Sequence, residues 1–277
     1  MLVPSLSKIY RFCIIPPKFQ FIQEKVYHKL LPNYKYQNGE NILVLDVVQF
    51  TWYNSYKMIK KTNVLRNIQN IVGKSDKESN VTERIVFCIK CGSQVFDTPL
   101  GQPIKCPNSQ CGHVGTRGFI FDKDIRFSFR NDGELLHYAV GAIIKKYQAD
   151  EYLLFRRRMY PEGCYTIPAG HLEKNEAAEL AVVREVYEET KLVLIPSTFK
   201  LLYEEEIEDK CRRGADYHVW SLYCCECIGD ACLSYEADIM GWYKKDEIIS
   251  LPELTRPTGH FLSQYFGVQL ATMVLQG

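Results

Sequence analysis

The segment GHLEKNEAAELAVVREVYEETKL, running from Gly170 to Leu192, limits what this 277-residue chain can fold into more than any other stretch. From Ala177 to Leu192 it contains neither proline nor glycine. A helix of about four turns is therefore predicted, with Asn175 as its N-cap. Ala178, Ala181, Val182 and Val186 recur at steps of three and four and form its apolar stripe. Glu185, Glu188 and Glu189, spaced i, i+3, i+4, share another face. Three carboxylates within one turn repel each other unless something positive sits among them. Hard divalent cations take oxygen ligands, and Mg²⁺ is commonly held by a few carboxylates together with substrate phosphates. A solvated acidic face is the alternative meaning of such a run, and spacing by itself does not separate the two.

The flanks supply strands. LLHYAVGAII (135–144), EYLLFRRR (151–158), FKLLYEEEIE (199–208) and YHVWSLYCCECI (217–228) have strand character, and PTGHFLSQYFGVQLATMVLQ reads as a closing helix. A long helix between two pairs of strands suits an α/β (α+β) sandwich better than a bundle. Upstream, helices are expected at 19–31 and 63–72, a strand at 41–53, and a polar linker at 73–80. The predicted organisation is a basic, mixed α/β region at 1–80, a cysteine-rich module at 81–120 and the sandwich at 121–277.

Gly170, Glu176, Arg184, Glu185, Val186, Glu188, Glu189 and Leu192 stand at the fixed spacings of one signature. It reads Gly, five residues, Glu, seven residues, Arg-Glu, an aliphatic residue, any residue, Glu-Glu, any residue, Gly, then an aliphatic residue. On these residues the chain resembles the Nudix hydrolases, with Lys191 standing where the family has its second glycine. The resemblance implies a Nudix α/β/α sandwich and a loop-helix-loop site in which Glu185, Glu188 and Glu189 hold Mg²⁺ or Mn²⁺. The Gly170 carbonyl would be a further ligand, and Arg184 and Glu176 would orient the carboxylates by ion pairing. The implied chemistry is hydrolysis of a phosphoanhydride, with Glu188, Glu189 or Glu236 taking the proton of the attacking water. Glu236, six residues before Trp242, has a placement similar to that of an acid in the dGTP-cleaving members, with an ordinary loop glutamate as the alternative. A lysine at position 191, where a left-handed helix end is expected, should cost on the order of 1 kcal/mol without removing a ligand. Arg156 and Arg158 alternate onto one face of their strand, with Arg157 on the other; one or both of the pair are candidates for binding substrate phosphate, and a solvated edge without substrate contact is the alternative.

Cys88, Cys91, Cys106 and Cys111 form C-x2-C, fourteen residues, C-x4-C, with Gly92 and Gly112 directly after the paired cysteines. That spacing matches a tetrahedral four-cysteine zinc centre, structural because the protein fills every position. The stretch resembles a zinc ribbon. Cys225 and Cys227 alternate onto one face of a strand and Cys224 onto the other, where cysteine packs as a small hydrophobe. Cys13, Cys164 and Cys211 have no assignment from sequence.

A zinc ribbon preceding a Nudix domain resembles the NADH pyrophosphatases, including those that remove NAD caps from RNA, but residues 193–216 lack the Ser-Gln-Pro-Trp those enzymes carry. The expected substrate is a nucleoside diphosphate linked to another moiety, such as NAD(H), ADP-ribose or a nucleotide sugar. The alternatives are the 5′ end of RNA or a free nucleoside triphosphate, and a Nudix-fold sensor that binds a nucleotide without cleaving it. Residues 1–80 carry twelve Lys/Arg against five Asp/Glu, interleaved with aromatics, a composition suited to capped RNA as well as to a small core. The resemblance also implies pairing as a homodimer. No window offers eighteen uninterrupted apolar residues, so no membrane span is predicted, and Lys8, Arg11 and the Pro16-Pro17 pair break the N-terminal apolar patch before it becomes a signal-peptide core, so a cytoplasmic protein is expected.

Overall fold

The computed structural model describes residues 61–96 and 102–270, and every structural statement below concerns them. The chain divides into Met1–Tyr53 and Asn54–Gly277, and the described residues all belong to the second unit. The helix expected at 19–31 and the strand at 41–53 lie outside them.

Residues 61–72 are helical (α1) and bury Leu65, Ile68 and Val72, one apolar stripe at helical spacing. These pack with Phe87, Phe119, Phe121, Phe127 and Leu135. Segment 61–80, grouped with the N-terminal region on sequence grounds, thus shares the core of the residues that follow it. Lys61 fastens the helix by ion pairs to Glu134 and, at 2.6 Å, to Asp216. The polar stretch expected as a linker is pinned as well. Ser75 bridges to Ser128, Asp76–Glu78 makes one 3₁₀ turn, and the Asp76 carboxylate lies 3.6 Å from Arg126.

The cysteine-rich module is two small antiparallel sheets. β1 (Ile85–Phe87) lies between β2 (Gln94–Val95) and β5 (Phe119–Phe121), while β3 (Ile104–Lys105) pairs with β4 (Val114–Gly115). Gly92 and Gly112 take φ of +74° and +56°, so the turn after each cysteine pair uses the left-handed backbone that glycine adopts freely.

The larger sheet has nine strands: β6 (Phe127–Phe129), β7 (Leu135–Lys146), β8 (Glu151–Arg157), β9 (Tyr165–Thr166), β10 (Ala169–His171), β11 (Val193–Leu194), β12 (Lys200–Glu208), β13 (Tyr217–Ile228) and β14 (Ala237–Lys244). Its path is β11-β13-β7-β8-β14, with β6 and β10 also on β7, β12 on β13 and β9 on β8. β7 and β13 run parallel, with His137 opposite His218. Helices α2 (Ala178–Thr190), α3 (Lys245–Ile249) and α4 (Arg256–Phe266) complete the unit. Ala181, Val182 and Val186 of α2 pack on Val140, Ala142, Ile144, Leu153, Tyr223, Cys225 and Cys227. Phe261 and Leu262 of α4 pack with Ala139, Ile143, Leu154, Trp220 and Leu222 from the opposite face. Alternate residues of β7 and β13 thus enter two different cores, and covering both faces accounts for their nearly continuous apolar runs. Cys225 and Cys227 are buried beneath α2 and Cys224 lies on the other side, as alternation predicts.

Two expectations are corrected. The N-cap of α2 is Ala177, with no side-chain cap bond; Asn175 has φ +60° and spends its tolerance of left-handed backbone in the preceding turn. The closing helix stops at Gly267, whose φ of +65° caps it. No helix among the described residues is long and apolar enough to cross a membrane.

Candidate active site

β10 and α2 bring the signature residues together. Gly170 sits opposite Val140 on β7 and so faces the α2 side of the sheet. A Cβ at Gly170 would stand 2.0 Å from Cδ of Glu185. Glycine is required there by close approach: the carboxylate rests against the bare strand backbone.

Arg184 organises the acids. Its Nε and Nη2 donate to the two Glu176 oxygens at 2.9 Å each, and its Nη1 donates to Glu185 at 2.8 Å and to Glu188 at 3.4 Å. Nη2 also reaches the His171 carbonyl at 3.3 Å, tying α2 to β10. Glu176 in turn accepts from the Glu173 amide at 3.2 Å. Arg184 holds the Glu176 carboxyl below the usual carboxylate range, and Glu176 raises the guanidinium in return.

The three clustered glutamates differ in environment. Glu189 is 8% exposed and accepts the Ala169 N–H at 2.9 Å. Burial lifts its carboxyl well above the ordinary range, against the Ala169 bond, and the charges of Glu185 and Glu236 lift it further. Burial also raises Glu185, opposed by Arg184. The Glu188 side chain is 58% exposed. Glu236 precedes β14, accepts the Tyr235 hydroxyl at 2.9 Å, and acts electrostatically on both Glu185 and Glu189, so the loop acid stands beside the helical ones.

Residues 135–264 match the sequence profile of the NUDIX domain. This stretch is a NUDIX domain. Over 85 residues the chain is 41% identical to an ADP-ribose pyrophosphatase of Methanocaldococcus jannaschii, covering 30% of this chain and 46% of that protein. The chain thus spans about half the length of that curated relative. Among solved structures, the MutT NUDIX hydrolase of Burkholderia pseudomallei is 25% identical with a TM-score of 0.40, covering 47% of this chain and 97% of that one. The NUDIX domain of Shewanella oneidensis NrtR, crystallised with ADP ribose, is 20% identical with a TM-score of 0.40, covering 48% of this chain and 87% of that one.

Beside this NUDIX site the arginines sort differently from expectation. Arg156 is spoken for by a two-pronged pair with Asp238, at 2.9 and 2.7 Å. Arg158 lies past the end of β8, and its amide donates to the Glu236 carbonyl at 2.8 Å, holding the loop acid in place through the backbone. Arg157, on the opposite face from Arg156, is the cation acting on Glu189. The motif reading passed over it because three consecutive arginines give no sign of which one turns inward.

Ahead of the NUDIX domain, the sulfur atoms of Cys88, Cys91, Cys106 and Cys111 all lie within 4.8 Å of one another, with 3.8 Å between Cys88 and Cys111 and 3.4 Å between Cys91 and Cys106. Tetrahedral bonds of about 2.3 Å to one ion place sulfurs about 3.8 Å apart, so the four thiols are arranged as one metal centre. One further group of metal-ligating side chains among the described residues has the same closeness: His137, His171, Cys211 and His218. Sequence reading assigned none of these four. Burial pushes His171 down to about 3 and His218 down to about 4, and His137 well below its ordinary value.

Proposed function

We propose that the chain is a divalent-metal-dependent pyrophosphohydrolase that cleaves the phosphoanhydride of a nucleoside diphosphate joined to another moiety, with ADP-ribose as the leading substrate. The observation carrying this is the acidic nest itself. Glu185 and Glu189 are drawn out of water beside Gly170, Glu188 and Glu236 join them, and the guanidinium groups acting on the buried pair are those of Arg184 and Arg157. Carboxylates outnumber cations there, and burial makes each excess anion costly, so this donor set fits a hard dication.

Glu185, Glu188, Glu189 and the Gly170 carbonyl would hold Mg²⁺ or Mn²⁺, which when bound neutralises charge on the phosphate oxygens and lowers the pKa of a water. Arg184 positions Glu185 and Glu188 beforehand, bonding one oxygen of each and leaving the other free to meet an ion. Glu189, locked by the Ala169 amide, serves as ligand. Glu188 and Glu236 reach solvent and are placed to accept the proton of the attacking water. The name carried by the M. jannaschii relative supports ADP-ribose. In the cysteine centre, four sulfurs and no free position suit structural Zn²⁺.

The test is hydrolysis by the full chain of ADP-ribose, NAD⁺, NADH, dinucleoside polyphosphates and dNTPs with Mg²⁺ or Mn²⁺, with Glu188→Gln as control. Release of AMP and ribose 5-phosphate from ADP-ribose, lost in the variant, is the expected result. Tight nucleotide binding with every anhydride left intact would replace the enzyme by a sensor.

A further inference from the structure

On the sheet face opposite α2, three histidines and a cysteine from separate segments meet. His137 lies on β7, His171 ends β10, His218 lies on β13, and Cys211 sits in the connection between β12 and β13. Their rings pack at centroid separations of 5.1 Å (His137 to His171), 5.6 Å (His137 to His218) and 5.6 Å (His171 to His218). One ligand atom from each of the four residues falls within 4.8 Å of all the others. Cys211 Sγ is 3.6 Å from Nδ1 of His137. Bonds of about 2.0 Å to nitrogen and 2.3 Å to sulfur in a tetrahedron place N and S about 3.5 Å apart, so this pair already has the separation of two ligands on one ion.

Two ring nitrogens of this cluster, Nε2 of His171 and Nδ1 of His218, are closed off from solvent without a hydrogen-bond partner. Buried polar atoms are ordinarily paired, and an orphan calls for a reason. An ion supplies one to His171 directly. For His218 the reason is a neighbour: Asp209 Oδ2 stands 3.7 Å from Nδ1, positioned to take that N–H once Nε2 is a ligand, as carboxylates do behind metal-bound histidines. The Cys211 loop is also fixed in advance, since Arg117 donates to the Cys211 carbonyl at 2.8 Å, to the Ala215 carbonyl at 3.1 Å and to Asp216 at 2.6 Å.

We propose that His137, His171, His218 and Cys211 form a second, closed metal site that takes Zn²⁺. Three imidazoles and one thiolate suit this borderline ion, and four protein ligands leave no open position, which makes the site structural. Its place gives it a further consequence. His171 follows Gly170 directly, and its carbonyl receives Arg184. An ion on the His171 ring would hold the strand against which Glu185 rests from the far side of the sheet.

The experiment counts zinc in the full chain, purified without chelator and washed with excess Mg²⁺, for wild type, Cys88→Ser and Cys211→Ser. Two zinc ions per chain in wild type and one in each variant is the expected result. Wild type and Cys211→Ser holding equal zinc would overturn the site. Should Cys211→Ser fail to fold, anomalous scattering at the zinc edge from wild-type crystals decides: a peak among the four side chains supports the site, and a peak at the four cysteines with none here sinks it.

Discussion

Gly170→Ala isolates the contact on which the active-site proposal depends. The new Cβ would stand 2.0 Å from Glu185 Cδ and equally close to Oε1, where ordinary contact begins at 3.4 Å. The carboxylate must therefore retreat by about 1.4 Å. It is the end of a side chain, so it can move, and in moving it leaves the 2.8 Å bond from Arg184. The backbone asks for nothing in return, because Gly170 lies in a regular strand and is absent from the positive-φ glycines. Alanine there restricts the unfolded chain, a gain of about 0.4–1 kcal/mol, which offsets part of a lost charge-assisted bond worth about 1.5–3 kcal/mol. The melting temperature should fall by no more than about 10 °C. Misplacing a reacting group by an ångström costs on the order of 10²-fold in rate, and disturbed ligand placement costs about 10–100-fold in metal affinity. ADP-ribose hydrolysis followed across a Mg²⁺ titration should show both losses in a protein that is still fully folded at the assay temperature. Wild-type kcat/KM and unchanged Mg²⁺ half-saturation would refute the argument that Glu185 must rest on bare backbone.

Three further outcomes follow from the same geometry. Glu189→Gln should abolish hydrolysis yet stabilise the metal-free protein by on the order of 1–3 kcal/mol near neutral pH. Because burial raises the folded-state pKa of Glu189, the wild type carries a penalty absent at low pH that grows as pH climbs past the ordinary carboxylate value; Glu185 and the buried histidines titrate in both proteins, so in EDTA the melting advantage of the variant over wild type should widen from pH 5 to 8. Arg184→Lys replaces a fork that serves Glu176, Glu185 and Glu188 by a point charge, and should cost about 1–3 kcal/mol in urea unfolding and about 10–100-fold in kcat/KM. Lys191→Gly should raise stability by about 0.5–1 kcal/mol with activity unchanged, since Lys191 holds φ +61° at the helix end and recovers only part of that cost by resting its ammonium 5.0 Å from the Tyr187 ring; an unchanged melting temperature would show that contact to be full compensation.

What could be read from the sequence was whatever one segment encodes alone. Ala181, Val182 and Val186 announce a buried stripe by their spacing, and the two cysteine pairs announce a centre by theirs. What could not be read depends on which strands become neighbours. Nothing local marks Arg157 rather than Arg156 as the inward cation, or shows that Leu65 and Ile68 belong to a core built around Phe119 and Phe121. The histidines are the clearest case. Each is the one histidine of its strand, and only the parallel pairing of β7 with β13 sets His218 opposite His137, while β10 lays His171 beside Ala139. That same β10 register turns Gly170 toward α2. A slip of one residue would exchange the two, sending a histidine ring into Glu185 and leaving a gap in the histidine cluster. The acidic site and the histidine site are thus fixed together by one strand alignment, and a perturbation that shifts β10 must disturb both.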